Sequence, residues 1–525
     1  MIQHVLWGVI AVAAIITVLS GFLGDLHAFQ QFGYYRAPFF RWKNKQRFFA
    51  DELLYYLALG LALVASLPVT AIAALLILIH LLFRRMIVKA YPPKKPLAYT
   101  GRIKRMLGTM LLIFFAGMTL YCVAPWALVI WLAFAFLCGD GFVLAADGIN
   151  RPMELLINER FYRDAQRKVS RAPFLKVIAI TGSYGKTSTK NVVASMLAPY
   201  RNTLASPASY NTKLGLTRTI RESLIPTTEV FVAEMGAKRL GEIEEIVDFL
   251  TPDLAIVTSI GEQHLETFRS LDNIVKEKSE VFQKLRSGGY AFINEEDPSL
   301  ASLTLRSDVH RVSYSFRETS DFYLTDVVTS GEGSSCIFVD RKRGTRTKLW
   351  TTLLGKHNLL NILAGAAIAT TIGVKPEEIA AVVTTLKPVT NRLSTRKEGD
   401  ILILEDAFNS NPIGAKAALD VLQSLATNGK RIIMTPGMIE LAEKEYAVHF
   451  HFGQQIAAVC DYVILVSERQ TRHIREGLAA SGYDMNRVQV VPTMSAAFQA
   501  MRSVASAGDV VLIENDLPDA FEEKK

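Results

Sequence analysis

The stretch ITGSYGKTSTK, residues 180–190, is the densest set of groups in the chain able to handle phosphate. Gly182 and Gly185 let backbone N–H groups turn toward an anion, Ser183 and Ser188 add hydroxyls, and Lys186 supplies positive charge. Thr187 offers a hydroxyl suited to Mg²⁺. The long phosphate-loop pattern G-x-x-x-x-G-K-[ST] is not met, because Ile180 stands where its first glycine belongs; the shorter T-G-S-x-G-K-T remains. Further along, Glu234 closes the run EVFVAE, an acid placed where the C-terminal end of a strand would meet a cation. His264 follows the run PDLAIVTSIGEQ, just past another expected strand. Lys276 and Lys278 lie in LDNIVKEKSEVFQKL, a helical pattern whose lysines read equally as a solvated face.

These groups need elements to hold them. FLKVIAI is a buried strand by its unbroken apolar run, and KTSTKNVVASMLAP continues from the glycine turn as a helix. Strand, glycine-rich turn and helix is the context that a phosphate loop requires.

The chain has 525 residues, room for three or four domains, and half of them are hydrophobic. Mean hydropathy is +0.22, with the apolar residues concentrated before Asn150. The net charge of +8 includes Arg36, Arg41, Lys43, Lys45 and Arg47, and a second group from Arg84 to Arg105. Because both groups flank apolar runs, a positive-inside bias explains them better than nucleic acid does. Four cysteines without C-x-x-C spacing argue against a disulfide framework or a zinc site and suit a reducing compartment. Apolar runs at residues 5–23, 53–83 (broken at Pro68), 106–123 and 126–137 lead to an expected α-helical membrane bundle over residues 1–150. Five crossings are expected, with Asp140 and Asp147 as caps on the last and the remainder of a multi-pass cell-membrane protein in the cytoplasm. Residues 151–172, including MELLINERFYRDAQRKV, are expected as an amphipathic juxtamembrane helix.

Between residues 173 and 512 an ordered series of motifs resembles the Mur ligase family, nearest its dipeptide-adding branch. The motifs are ITGSYGKTS, YNTKLG, AEMGA, HLETF, VKEKSEVF, LLGKHNLLNILAG, NRLS, EDAFNSNP and TPGMIELAEKE. The resemblance implies an α/β architecture: a mostly parallel P-loop ATPase sheet over residues 173–387 and a C-terminal Rossmann-like domain over 388–525. It also implies ATP and two Mg²⁺ ions. Carried over motif by motif, Lys186 and Thr187 serve the phosphates and Mg²⁺, within a nucleotide site that includes Gly182, Ser183, Gly185, Ser188 and Asn211. Glu234 binds Mg²⁺, and His264 serves a second metal, with Lys278 in the place of the family's carbamylated lysine. His357, Asn358 and Asn361 belong to the adenine site; Arg392 in the hinge, Asp406 and Asn409 reach the ribose and phosphates. On a helix Lys276 and Lys278 point about 200° apart, so only one of them can face such a site.

The chemistry implied is attack of a carboxylate on the γ-phosphate of ATP, then displacement of phosphate from the acyl phosphate by an amine. That branch carries a soluble N-terminal domain for the uridine nucleotide of its substrate, where membrane helices are expected here. The expected function is therefore a membrane-anchored ligase joining a cell-envelope precursor, lipid-linked or handed over at the membrane, to an amino acid or dipeptide. The rival readings are a poly-γ-glutamate type of synthase and a non-catalytic ATP-binding scaffold.

Overall fold

Alternation decides the main sheet. In KVIAIT the side chains of Ile178 and Ile180 enter one apolar layer, while Val177 and Ala179 enter the opposite one. The computed structural model describes residues 2–45, 96–122, 130–132, 134–135, 138–207, 210–330, 333–387, 393–406, 411–425, 427–439, 441 and 444–515. They divide into two compact units, with the boundary after Glu159.

The first unit is helical. Helices Ile2–Gln31, Arg36–Lys45 and Gly101–Met118 and the first part of Gly139–Ser170 pack around Phe22, Phe29, Phe39, Met110, Phe114 and Phe142. The Phe22 ring meets that of Phe142 at 4.8 Å and that of Phe114 edge-on at 5.8 Å. Among the described residues no helix is long and apolar enough to cross a membrane. That finding overturns the expected membrane bundle, the multi-pass placement and the membrane-anchored function. The run at 53–83 and part of 126–137 lie outside the described residues. Charges expected to flank a bilayer pair with one another instead. Asp147 accepts from Arg36 at 2.7 Å and from Arg102 at 3.0 Å, Lys43 reaches Asp25 at 2.5 Å, and Arg105 reaches Glu154 at 2.7 Å. Asp140, read as a cap on the last span, accepts from the N–H of Gly141 in the first turn of Gly139–Ser170. The expected juxtamembrane helix is no separate element, because that one helix runs on through Pro152.

The second unit holds two sheets. One contains β1 (Lys176–Thr181), β2 (Thr203–Ala205), β3 (Val230–Glu234), β4 (Leu254–Val257), β5 (Tyr290–Asn294), β6 (His310–Ser315), β7 (Phe322–Ser330), β8 (Gly333–Asp340) and β9 (Thr345–Thr351). Their order is β2-β3-β1-β4-β5-β6-β7-β8-β9, parallel as far as β7 and antiparallel across β8 and β9. Helices Lys186–Leu197 and Lys356–Ile372 cover one face, and Lys213–Ser223, Glu242–Leu250 and Leu271–Gln283 the other. The second sheet is built from β10 (Ser394–Glu398), β11 (Ile401–Asp406), β12 (Arg431–Thr435), β13 (Tyr462–Val466), β14 (Val488–Val491) and β15 (Val510–Glu514). It runs β10-β11-β15-β12-β13-β14, with β10 antiparallel at the edge and a buried apolar layer on each face. The strands β1, β3 and β4 of the first sheet and β11, β12 and β13 of the second end on loops that lead into helices, which is where open α/β sheets bind ligands.

Candidate active site

The loop after β1 is drawn tight against the loop after β4. Gly182 sits at φ +138°, and a Cβ there would come within 2.2 Å of Thr258 Oγ1, so both its conformation and its space exclude a side chain. The Ser183 hydroxyl donates to the carbonyl of Gly261 and accepts from the N–H of the same residue, both at 2.9 Å. The Thr258 hydroxyl reaches the carbonyl of Thr181 at 3.1 Å and that of Tyr184, whose phenol pKa is raised by burial and by the nearby charge of Glu262. Gly185, at φ +80°, opens the helix Lys186–Leu197. Lys186 folds back onto its own loop, donating to the carbonyls of Gly182 at 2.6 Å and Ser183 at 2.8 Å. Thr187 and Ser188 lie half-buried in the first turn.

Strand alternation places Glu234 on the same face as Val230 and Val232, under the helix Lys186–Leu197. Its carboxylate is 2% exposed: Oε1 accepts from the Asn211 amide at 3.1 Å, and Oε2 faces the Lys190 ammonium at 3.2 Å. Oε2 makes no hydrogen bond of acceptable geometry, which leaves a buried oxygen with capacity to spare. Lys278 is buried, while Lys276 is exposed. The Lys278 ammonium donates to the carbonyl of Ala237 at 3.3 Å, three residues beyond Glu234, and lies 5.8 Å from the centre of the Phe268 ring, four residues beyond His264. Burial lowers its pKa to about 8, against an opposing pull from Glu277 and Glu242. His264 occupies the left-handed region at φ +57°, the entry to the short helix Leu265–Phe268. The structure thus gathers the segments bearing Glu234, His264 and Lys278 at one end of the sheet.

The residues expected at the nucleotide base take different positions. Asn361 Oδ1 accepts from Thr189 at 3.0 Å and stands 3.1 Å from where a Cβ on Gly185 would lie, beside the phosphate loop. The Asn358 amide is committed to the carbonyl of Leu354 at 2.8 Å. His357 is half-buried and its ring packs against Gly355; surrounding protein pulls its pKa down to about 4, so the ring is neutral. At the end of β11, Asp406 accepts from the N–H of Leu393 at 3.2 Å. Arg392 and Asn409 lie outside the described residues.

Comparison with known proteins places this architecture. Residues 180–369 match the Mur ligase middle domain, and residues 391–514 match the Mur ligase glutamate ligase domain. The UDP-N-acetylmuramoyl-tripeptide--D-alanyl-D-alanine ligase of Mycobacterium bovis is 30% identical over 362 residues, covering 65% of this chain and 70% of its own. The chain belongs to the Mur ligase family. The ligase of the same name from Bacillus subtilis is 29% identical over 340 residues, 65% of this chain and 72% of its own. The crystal structure of MurF ligase from Thermotoga maritima in complex with ADP shares the fold, with a TM-score of 0.62 and 23% identity over 69% of this chain and 81% of that one.

As a Mur ligase the protein is an ATP-dependent enzyme of peptidoglycan biosynthesis that joins a carboxylate to an amine, which removes the scaffold reading. Its substrates are of the nucleotide-sugar peptide and amino-acid or dipeptide classes, and its cofactor use is ATP with Mg²⁺. Among the described residues no three His, Cys, Asp or Glu side chains cluster as a metal cage. The donors present still suit Mg²⁺, a hard cation that keeps several waters, because Glu234 offers a buried oxygen free of hydrogen bonds. Sequence reasoning passed over Lys190 and Glu277. The Glu277 carboxylate accepts from the N–H groups of Gly241 and Ile243 at 2.7 Å each, tying the helix of Lys278 to the start of Glu242–Leu250. An acid beside Lys278 was the available signal for Glu277, whereas Lys190 reads as solvent-facing until the strand beneath its helix is known.

Proposed function

We propose that this Mur ligase forms the amide bond between a carboxylate of a UDP-N-acetylmuramoyl peptide and the amine of D-alanyl-D-alanine, the pair named in its relatives. Residues 173–387 hold ATP and residues 388–525 present the amine. The observation that carries the reading is the buried Glu234 carboxylate beside a phosphate loop, with the buried, weakly basic Lys278 amine close to the same strand end. Lys186 leaves the carbonyls it now binds and pairs with the phosphates, while the N–H groups of the glycine loop and the helix start face the same anion. Asn361 supports the loop, and by the family resemblance Arg392, Asp406 and Asn409 are assigned to the nucleotide. Thr187, Glu234 and His264 are the residues that would hold Mg²⁺, joined by Lys278 as a carbamate. When bound, the cations offset charge on the transferring phosphoryl group.

Lys278 is suited to become that carbamate. Below pH 8 its ammonium is buried against the carbonyl of Ala237; in the neutral form its lone pair adds to carbon dioxide, a proton leaves, and an N–C bond forms. The product carries negative oxygen in place of positive nitrogen. In the reaction itself a substrate carboxylate oxygen attacks the γ-phosphorus and ADP departs. The amine nitrogen then attacks the acyl carbon, expelling phosphate and losing a proton.

The test is phosphate release and product mass on mixing the protein with ATP, Mg²⁺, UDP-N-acetylmuramoyl-tripeptide and D-alanyl-D-alanine. Release should require both substrates and should fall at least ~100-fold in Lys186→Ala. Turnover with a different amine in place of the dipeptide, and none with the dipeptide, would overturn the substrate assignment.

A further inference from the structure

Lys190 lies one helical turn beyond Lys186, and the two serve different partners. Lys186 is half-buried and bonds to the phosphate loop; Lys190 is 1% exposed and its ammonium is 3.2 Å from Glu234 Oε2. Two full charges have therefore been taken out of water at the position assigned to a divalent cation. Such a pair is retained at a desolvation cost that a well-packed apolar pair would avoid, so its presence calls for a use other than stability. The other oxygen of Glu234 is held by the Asn211 amide, so the carboxylate cannot swing away from Lys190 without breaking that contact; the Ser206 hydroxyl fixes the backbone N–H of Glu234 beneath it.

We infer that Lys190 is a positioning residue that keeps the Glu234 carboxylate aimed in the absence of metal and, by opposing the incoming cation, weakens metal binding so that Mg²⁺ exchanges readily. The inference rests on the reading of Glu234 as a metal ligand. Lys190 is a resident monovalent charge at the carboxylate, and a divalent ion arriving at Oε2 meets a carboxylate already partly neutralised. Two like charges a few ångströms apart in a partly dry site repel by enough to change affinity at least about tenfold. Removing the lysine charge leaves Glu234 as a buried carboxylate whose natural counter-ion is the metal itself.

The experiment measures Mn²⁺ binding to the nucleotide-free full chain by electron paramagnetic resonance of the free ion, with melting temperature followed in parallel. Lys190→Met should tighten Mn²⁺ binding at least about tenfold and enlarge the rise in melting temperature that Mn²⁺ produces, whereas Lys190→Arg should match the parent. A purely structural lysine would lower stability equally with and without the ion and leave Mn²⁺ affinity unmoved or weakened, and either result overturns the inference. Glu234→Gln tests the underlying reading separately: unchanged Mn²⁺ binding there removes Glu234 from the metal site, while weakened binding there with an unaffected Lys190→Met removes only the role given to Lys190. If Lys190→Met does not fold, Lys190→Met/Glu234→Gln decides, since recovery of folding identifies the stranded carboxylate as the cause and failure to recover overturns the inference.

Discussion

At the scale of single residues, two lysines separated by one position have opposite fates. Lys278 is buried and its pKa falls to about 8, whereas Lys276 is exposed on the far side of the same helix. Lys278→Ala should lose most activity and regain part of it with added formate or acetate; Lys276→Ala should be mild. A dead Lys276→Ala beside a normal Lys278→Ala would reverse the register. The same shift carries a stability signature in buffer freed of carbon dioxide. Because the folded pKa lies below the unfolded value of 10.5, the unfolded state holds more protons between about pH 8 and 10.5, and stability rises with pH across that window. Lys278→Met should therefore be the more stable protein at pH 7, by up to about 3 kcal/mol, with the gap closing by pH 10.5 in urea titrations. The placement of Glu234 was legible in the sequence because an acid closing an unbroken apolar run marks the end of a strand. Lys190 was not, since a lysine within a helix reads as solvent-facing until the strand beneath it is known to end in a carboxylate.

At the scale of elements, the loop that follows β12 shows how a buried imidazole holds a turn. His449 Nε2 accepts from the N–H of Met438 at 2.9 Å, the Asn515 amide donates to the carbonyl of Gly437 at 2.6 Å, and the Gln470 amide donates to that of Met438 at 2.9 Å. Accepting at Nε2 requires the neutral ring, and burial, helped by His473, lowers its pKa to about 4. The folded value is below the unfolded 6.5, so stability is lost as pH falls from 6.5 toward 4. His449→Gln keeps an acceptor without the titration and should flatten that part of the urea-midpoint profile. His449→Phe strands the Met438 N–H and should cost about 1–3 kcal/mol at neutral pH. An unchanged acid limb in His449→Gln would show that other groups carry it. The strands were readable from alternation and apolar runs, and the helix after the glycine loop from its periodicity. The pairing of the sequence-distant β11 with β15 was not, because register across a parallel sheet is set by the layers packed on its faces.

At the scale of the whole molecule, the N-terminal unit is where hydropathy misled. An apolar run of about 20 residues describes a bilayer span and also a helix buried against its neighbours. What separates the two is pairing, and Asp147 finds Arg36 across 111 residues and Arg102 across 45, distances over which a window of hydropathy carries no information. The second unit was legible through its ordered motifs, and there the stitching of the loop after β1 to the loop after β4 has a dynamic consequence. The N–H of Ser183 bonds to the carbonyl of Ser259, that of Gly261 to the Ser183 hydroxyl, and that of Ile260 to Asp297. Loops from two strands, anchored to the turn after a third, cannot open one at a time. Their amides should exchange with deuterium as one cooperative unit, with matching protection at Ser183, Ile260 and Gly261. Ser183→Ala should accelerate all three together, and acceleration at Gly261 alone would mean that the cradle flexes in separate pieces.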